Sequence, residues 1–304
     1  MSASEMAKAM SAARMGIPVC ISTQSVTTVE EIRDGAPSAS LWFQLYVWKN
    51  RDLSRSLLER VGKAGVTTLV VTADTLVVTA DTPVGPKREY NQRNGFSIPI
   101  KPSGRLAWDV VTHPRWLCGV LLRYMVTTGM PTYGHYPQEF RSRVTRPSVA
   151  EDVRLENHLN WDDIRDLRRW WRGKLLIKGV LSLRDALKAK EVGADGVVVS
   201  AHGARNLDAA PAPIAVLPHI ADVLGDKLEI LADSGVVRGS DILKYIGSGA
   251  TSVMVGRLPL WGLAAGGEAG AYALLTMLRE EIDITLTMLG IRAPAETRTL
   301  ATGR

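Results

Sequence analysis

Cysteine is almost absent: Cys20 and Cys118 are the two thiols in 304 residues. Two cysteines build neither a disulfide framework nor a thiolate metal site, and this usage points to a reducing compartment. No run reaches the roughly 20 apolar residues of a membrane span. Nor is there a long Lys/Arg block of the kind that forms a nucleic-acid tail. The N-terminal stretch MSASEMAKAMSAARMG lacks a basic region followed by an apolar one, which argues against secretion. His113, His135, His158 and His219 show no metal-ligand spacing and read as surface or capping residues. What is present is 46% hydrophobic and 22% charged, which excludes intrinsic disorder, collagen and low-complexity fibres. The net charge of +6 is mild and suits anionic substrates, phosphates or an acidic membrane surface.

Short apolar runs rich in Val, Ile and Leu alternate with helical patterns. The strand candidates are Pro18–Ser22, Leu41–Val47, Leu69–Thr72 or its copy, Leu175–Lys178, Gly196–Ser200, Glu229–Asp233 and Ser252–Gly256. Continuous apolar runs of this length suit parallel strands covered on both faces. Helical stretches at Leu53–Ala64, Leu183–Val192, Pro213–Leu224 and Ser240–Ser248 separate them, several ending in Gly before the next strand. That punctuation marks the αβ joint of a repeating unit. Polar residues gather at successive strand ends, which fits the mouth of a TIM (β/α)8 barrel better than one crevice of an open sheet. Seven strands are visible where the barrel needs eight. The chain opens on a helix, Ser4–Ala13, so the expectation is one barrel domain, 1–304, whose first strand lies upstream of Met1. An insertion at about 91–164 interrupts the rhythm at the mouth.

Leu69–Thr75 and Leu76–Thr82 both read LVVTADT. One copy fills one strand slot. Downstream spacing favours the second copy, so Leu76–Asp81 is the expected strand and Leu69–Thr75 is expected to be extruded toward the bottom of the barrel. Within the insertion, Leu106–Val126 mixes Trp108, Trp116 and Tyr124 with aliphatics, Arg115 and Arg123. It reads as an interfacial membrane segment or as a mobile lid.

The sharpest chemistry lies in GADGVVVSAHGARNLD, residues 193–208. A buried strand delivers His202 and, three residues later, Arg205. A histidine moves protons near neutral pH, and a guanidinium grips a carboxylate with two parallel hydrogen bonds.

SAHGARNLD, with LLIKGVLS at Leu175–Ser182 and ADSGVVRGSDI at Ala232–Ile242, resembles the FMN-dependent α-hydroxy acid dehydrogenases and oxidases. WFQLYV at Trp42–Val47 and TADTPVGPKREYNQRNGF at Thr79–Phe96 resemble further signatures of that family, and the likeness runs in order over nearly the whole chain. The resemblance implies oxidation of an (S)-2-hydroxy acid, mandelate- or lactate-like, by FMN, with quinone or oxygen as the electron acceptor. It implies His202 as the base, Arg205 and Arg88 as the carboxylate clamp, Tyr46 near the reacting oxygen and Asp81 as the partner of the imidazolium. An ordinary strand-end cap is the other reading of Asp81. Lys178 resembles the cation beside the flavin N1–C2 region. Ser22, Gln44, Thr79 and Ser200 resemble its other neighbours, and Asp233 the acceptor of ribityl hydroxyls. Gly235, Arg238, Gly256 and Arg257 match phosphate-binding positions.

Two positions depart from the family pattern: Ala201 stands where Asn is usual, and Val237 where the first of two arginines is usual. The resemblance further implies a homo-oligomer, a tetramer, in the cytoplasm, with peripheral contact to the inner face of the plasma membrane. Nucleic acid and metal are not expected. Two rivals stand beside this reading. One is a truncated paralogue with impaired FMN binding, weakly active or inactive. The other is an FMN barrel isomerase acting on a phosphate-bearing substrate, which the His202–Arg205 pair with Arg88 argues against.

Overall fold

The computed structural model describes residues 3–72, 93–95, 103–127, 129–143, 145, 150–156, 159–205 and 207–302. The expected rhythm of strands and helices is present. Seven strands form one parallel sheet in strictly sequential order: β1 (Val19–Ser22), β2 (Leu41–Leu45), β3 (Thr68–Thr72), β4 (Lys174–Val180), β5 (Gly196–Val199), β6 (Glu229–Ala232) and β7 (Ser252–Val253). Sequential order with a helix after each strand is the winding of a (β/α)8 barrel. Among the described residues, the curled sheet is that barrel with seven of its eight strands.

Local chemistry sets the helix boundaries. Thr28 and Glu31 form a capping box at Val29–Gly35, Asn50 accepts from two amides of Arg51–Lys63, and Ser182 caps Leu183–Glu191. Each such cap contributes on the order of 1 kcal/mol. At the other helix ends Gly65, Gly193 and Gly249 hold φ of 77°, 83° and 110°, the left-handed turn that starts the return to a strand. The helix Ala3–Met15 packs against Arg257–Leu289, two helices joined by a kink at Gly266 and Gly267, where Ser11 donates to the Glu268 carbonyl at 3.1 Å and the Arg14 guanidinium lies 3.8 Å from the Tyr272 ring centroid. The helix that leads into β1 thus meets the helical segment that follows β7.

Strand parity sorts the side chains into two sets. Outward positions such as Ile21, Phe43, Leu69, Ile177, Val197 and Ile230 join the main core under the helices. Inward positions form a small second cluster of Val70, Leu176, Val198 and Leu231, with Cys20, Trp42 and Met254 against it. Six strands each supply one residue to this inner layer, and Met254 follows directly on β7. Burial pushes the Cys20 thiol up to about 12 despite Lys178 and Lys8. The thiol therefore packs as a small apolar group.

The repeat resolves against the expectation. Copy one, not copy two, occupies the strand slot: Leu69 pairs with Phe43 and Leu175, and Thr72 with Lys178. The reason is the joint upstream. From the end of Arg51–Lys63 the chain needs only four residues, turning at Gly65, to bring Thr68 beside Trp42 and Lys174. That short connection fixes the register. Copy two, and with it the expected strand Leu76–Asp81, lies outside the described residues.

In the insertion, Gly104–Thr112, Pro114–Trp116, a π-helical stretch Leu117–Leu122 and Arg123–Thr127 follow one another. None of their described side chains is buried, and Trp108 and Val126 are 69% and 86% exposed. Among the described residues no helix is long and apolar enough to cross a membrane. The chain then returns through residues 129–143 to the barrel, and the helix Trp161–Trp170 leads into β4.

Candidate active site

Two residues beyond each inner-layer apolar side chain, on the same face, stand Ser22, Gln44, Thr72, Lys178, Ser200, Asp233 and Gly256. Period-two geometry thus converts an apolar floor into a polar layer at the C-terminal ends of the strands. Its members are bonded to one another. The Ser22 hydroxyl donates to Gln44 Oε1 at 2.8 Å, and Gln44 Nε2 donates to Thr72 Oγ1 at 2.8 Å. Across the layer, Lys178 Nζ donates to Ser200 Oγ at 3.0 Å and lies 3.5 Å from Asp233 Oδ2. The Lys178 and Asp233 side chains are only 13% and 17% exposed. A cation so enclosed needs both partners, since an unpaired buried charge is costly. A register shift between Lys178 and Val180, with Gly179 at φ 102°, marks a bulge beside the lysine.

Beyond β5 and β6 the backbone is strained. Three non-glycine residues among those described have left-handed backbone: His202 (φ 52°), Ala204 (φ 58°) and Ser234 (φ 82°). All three sit on these two adjacent loops, with Gly203 and Gly235 also left-handed at 64° and 75°. Each non-glycine costs on the order of 1–3 kcal/mol, which surrounding contacts must offset. Ser234 supplies several of those contacts. Its Oγ accepts from the amides of Ala201 at 3.3 Å and Gly203 at 3.0 Å, and its hydroxyl lies 2.9 Å from Asp233 Oδ1. The His202 amide donates to Ser200 Oγ at 3.1 Å. The Tyr245 hydroxyl lies 2.9 and 2.8 Å from the carbonyl oxygens of Asp233 and Ser234. Burial, reinforced by the Asp233 and Asp241 carboxylates, pushes its pKa up to about 12, so it remains a donor.

Beside these loops a cavity of about 490 Å³ is lined by Gly203, Ser234, Gly235, Lys244, Tyr245 and Arg257, among others. The space where a Cβ would stand is open at Gly235 and at Gly256, and the Arg257 guanidinium lies 3.2 Å from that position at Gly203. Open glycines and a guanidinium at strand ends suit an anionic tail. The layer of hydroxyls, amide and ammonium suits the hydrogen-bonding edge of a flat ring. The residues present therefore fit FMN.

The structure brings Ser22, Gln44, Tyr46, Lys178, Ser200, His202, Asp233, Gly235, Gly256 and Arg257 to this end of the barrel. Arg205 follows the His202 loop and is exposed. Arg238 donates to Glu281, in the helical segment after β7, at 2.7 Å. Thr79, Asp81 and Arg88 lie outside the described residues, and Thr72 holds the strand-end place foreseen for Thr79. Sequence reasoning passed over Ser234 and Thr23. The first follows a strand-end Asp in a Ser-Gly turn, which is a readable signal.

His135 corrects the reading of a surface residue. It is 1% exposed: its Nε2 accepts from the Val29 amide at 3.0 Å, which leaves Nδ1 to donate to the Thr23 carbonyl at 3.3 Å. It still caps a helix, but from inside. Burial is the main reason its pKa falls from 6.5 to about 4. The Thr23 carbonyl, Glu30 and Glu31 oppose that fall and Arg60 assists it. The native imidazole stays neutral down to about pH 4, whereas the unfolded one takes up a proton below about 6.5. Stability is therefore full above pH 6.5 and falls by about 3 kcal/mol as pH drops to 4. Denaturant titrations of wild type and His135→Phe check this. The variant lacks that share of the slope, and parallel slopes contradict the assignment.

The FMN-dependent dehydrogenase family matches residues 1–302. A putative L-lactate dehydrogenase of Mycobacterium tuberculosis is 38% identical over 94% of this chain and 66% of its own length. The L-lactate dehydrogenase of Caulobacter vibrioides is 38% identical over 93% and 71%. This chain thus spans about two thirds of the length of these relatives. Among solved structures, a monotopic membrane protein, (S)-mandelate dehydrogenase, superposes with a TM-score of 0.85 at 36% identity, covering 96% of this chain and 74% of that one. Fold, polar layer and sequence agree: the chain belongs to the FMN-dependent dehydrogenase family.

Proposed function

We propose that this chain uses FMN, held at the barrel mouth, to oxidise an (S)-2-hydroxy acid of the lactate or mandelate kind to the 2-oxo acid. The observation that carries this reading is the strained loop at β5 and β6. The loop after β5 carries His202 and Arg205 and is tied to the polar layer, where Lys178, Ser200 and Asp233 are enclosed, by the His202 amide, which donates to Ser200 Oγ. When bound, FMN supplies acceptance of the two electrons that leave the substrate. His202 takes the accompanying proton at its imidazole, and Asp81 supports the imidazolium. Arg205 and Arg88 hold the carboxylate and so fix which face of Cα meets the ring. Tyr46 hydrogen-bonds near the reacting oxygen. Ser22, Gln44 and Thr72 would hold the flavin ring through their hydroxyls and amide, Lys178 would supply positive charge to it, and Asp233 would accept from the ribityl hydroxyls. Gly235, Gly256 and Arg257 would hold the phosphate. Quinone or oxygen receives the electrons afterwards.

Oxalate, a dianion shaped like the substrate, tests the clamp without turnover. Its binding, read from the flavin spectrum, should weaken by about tenfold or more in Arg205→Met. Unchanged affinity removes Arg205 from the clamp.

The exposed helical segment 104–127 supports peripheral attachment to an anionic membrane at the cytoplasmic face. Trp108, Val111, Trp116, Met125 and Val126 are exposed there, and Arg105, Arg115 and Arg123 interleave with them. Sedimentation with anionic liposomes at low salt is expected, and loss of it on deleting Leu106–Val126. A chain that never sediments leaves the lid reading. A homo-oligomer belongs to the same proposal, supported by exposed Leu260, Trp261 and Met288 and testable by light scattering. One observation favours a rival with impaired FMN binding. Val237 is 45% exposed and carries no charge, while Arg238 is engaged with Glu281. FMN titration of the apoprotein decides between the two.

A further inference from the structure

The arm that returns from the exposed helical segment, residues 129–143, is anchored at one place on the barrel. The Gly134 amide donates to the Ser25 carbonyl at 2.8 Å, and a Cβ at Gly134 would stand 3.1 Å from Thr28. His135 follows, bonded to Val29 and Thr23 and edge-on to Phe43 of β2 at 5.0 Å. Tyr136 meets Trp48 edge-on at 5.0 Å and stacks on Tyr133 at 5.1 Å. The Arg60 guanidinium reaches the His135 carbonyl at 3.4 Å and Glu30 at 3.1 Å.

Thr23, the acceptor of the histidine proton, is fully buried and bonds in the other direction as well. Its Oγ1 donates to the Gln44 carbonyl at 2.8 Å, its amide donates to the same carbonyl at 2.9 Å, and Oγ1 accepts from the Tyr46 amide at 3.0 Å. One residue therefore connects the anchored arm to the backbone on both sides of Leu45. That backbone carries Gln44 of the polar layer and Tyr46 of the proposed substrate site.

We propose that His135 is a positioning residue: it seats the return arm of the insertion on Thr23, and Thr23 in turn fixes Tyr46 at the barrel mouth. The inference rests on the reading of Tyr46 as the hydroxyl that meets substrate. His135 touches neither substrate nor cofactor and acts through Thr23. The insertion is then more than a cover, because its docking sets the geometry of one wall of the site.

Two variants interrupt the path at different points. His135→Phe keeps the ring against Phe43 but makes neither hydrogen bond, and Thr23→Val removes only the hydroxyl. Each should lower kcat/KM for 2-hydroxy acids by roughly ten- to a hundredfold, the scale of a misplacement of about 1 Å. In a Tyr46→Phe background neither should lower it further, because the group they position is gone. Amide exchange reads the same path without turnover. Tyr46 N–H should exchange faster in both variants while Val198 of β5 keeps its wild-type rate. The proposal is overturned if the losses add in the Tyr46→Phe background, or if Tyr46 exchange is unchanged or rises only in step with Val198. Wild-type flavin reduction in Tyr46→Phe alone would instead refute the role given to Tyr46.

Discussion

Removing one copy of LVVTADT should raise the rate at which 2-hydroxy acids reduce the flavin, by about ten- to a hundredfold. The copies are identical, so excising residues 69–75 or 76–82 yields the same shortened chain. In the intact protein copy one forms β3, and Thr72 receives the Gln44 amide at the strand end. The aspartate that follows this strand is Asp74, fourteen residues before Arg88, whereas Asp81 precedes Arg88 by seven. Seven is the spacing in the family pattern that the downstream segment resembles. The shortened chain joins that spacing directly to the strand, which is expected to sharpen the placement of the aspartate and arginine for their proposed roles. Closing a loop shorter by seven residues changes the closure entropy by less than about 1 kcal/mol, so the fold tolerates the excision. Anaerobic stopped-flow reduction of both proteins measures the effect. Equal rates would show that the extra heptad is accommodated without displacing Asp81 or Arg88.

The second large effect is expected at His202. His202→Gln should retain FMN and lose several orders of magnitude in flavin reduction. Glutamine keeps a side-chain hydrogen-bonding group on the strained loop but cannot take up a proton. The loop itself stays ordered, because Ser200 and Ser234 hold the backbone amides of Ala201, His202 and Gly203 rather than the imidazole. A variant with normal FMN affinity and near-normal reduction would place the base elsewhere.

How far the sequence foretells this site follows from which forces are local. Strands and helices were legible because parity and period are written in consecutive residues. Cys20 and Ser22, Trp42 and Gln44, Val70 and Thr72, Leu176 and Lys178 alternate as an apolar floor and a polar rim. The choice between the repeat copies was not legible from motif spacing, because the four-residue joint after Lys63 outweighs downstream distances. Of the two readings of His135, capping holds and the surface reading fails, for a different reason. Its burial depends on Phe43 and Thr23, which lie far from it in the sequence, and no local pattern records that meeting. Arg238 shows the same limit: Glu281, distant in sequence, takes its guanidinium. Ser234 was legible in principle, since a Ser after a strand-end Asp and before Gly is a turn with a hydroxyl aimed at its neighbours.

The central claim is that this barrel mouth holds FMN and passes it electrons from a 2-hydroxy acid. Its most direct test is anaerobic titration of the purified, FMN-loaded chain with lactate, glycolate and mandelate, following the visible flavin band. The account predicts that at least one of them bleaches the band and appears as its 2-oxo acid in equal amount. A chain that stays colourless after FMN is added, or a bound flavin that none of the three bleaches, would contradict it.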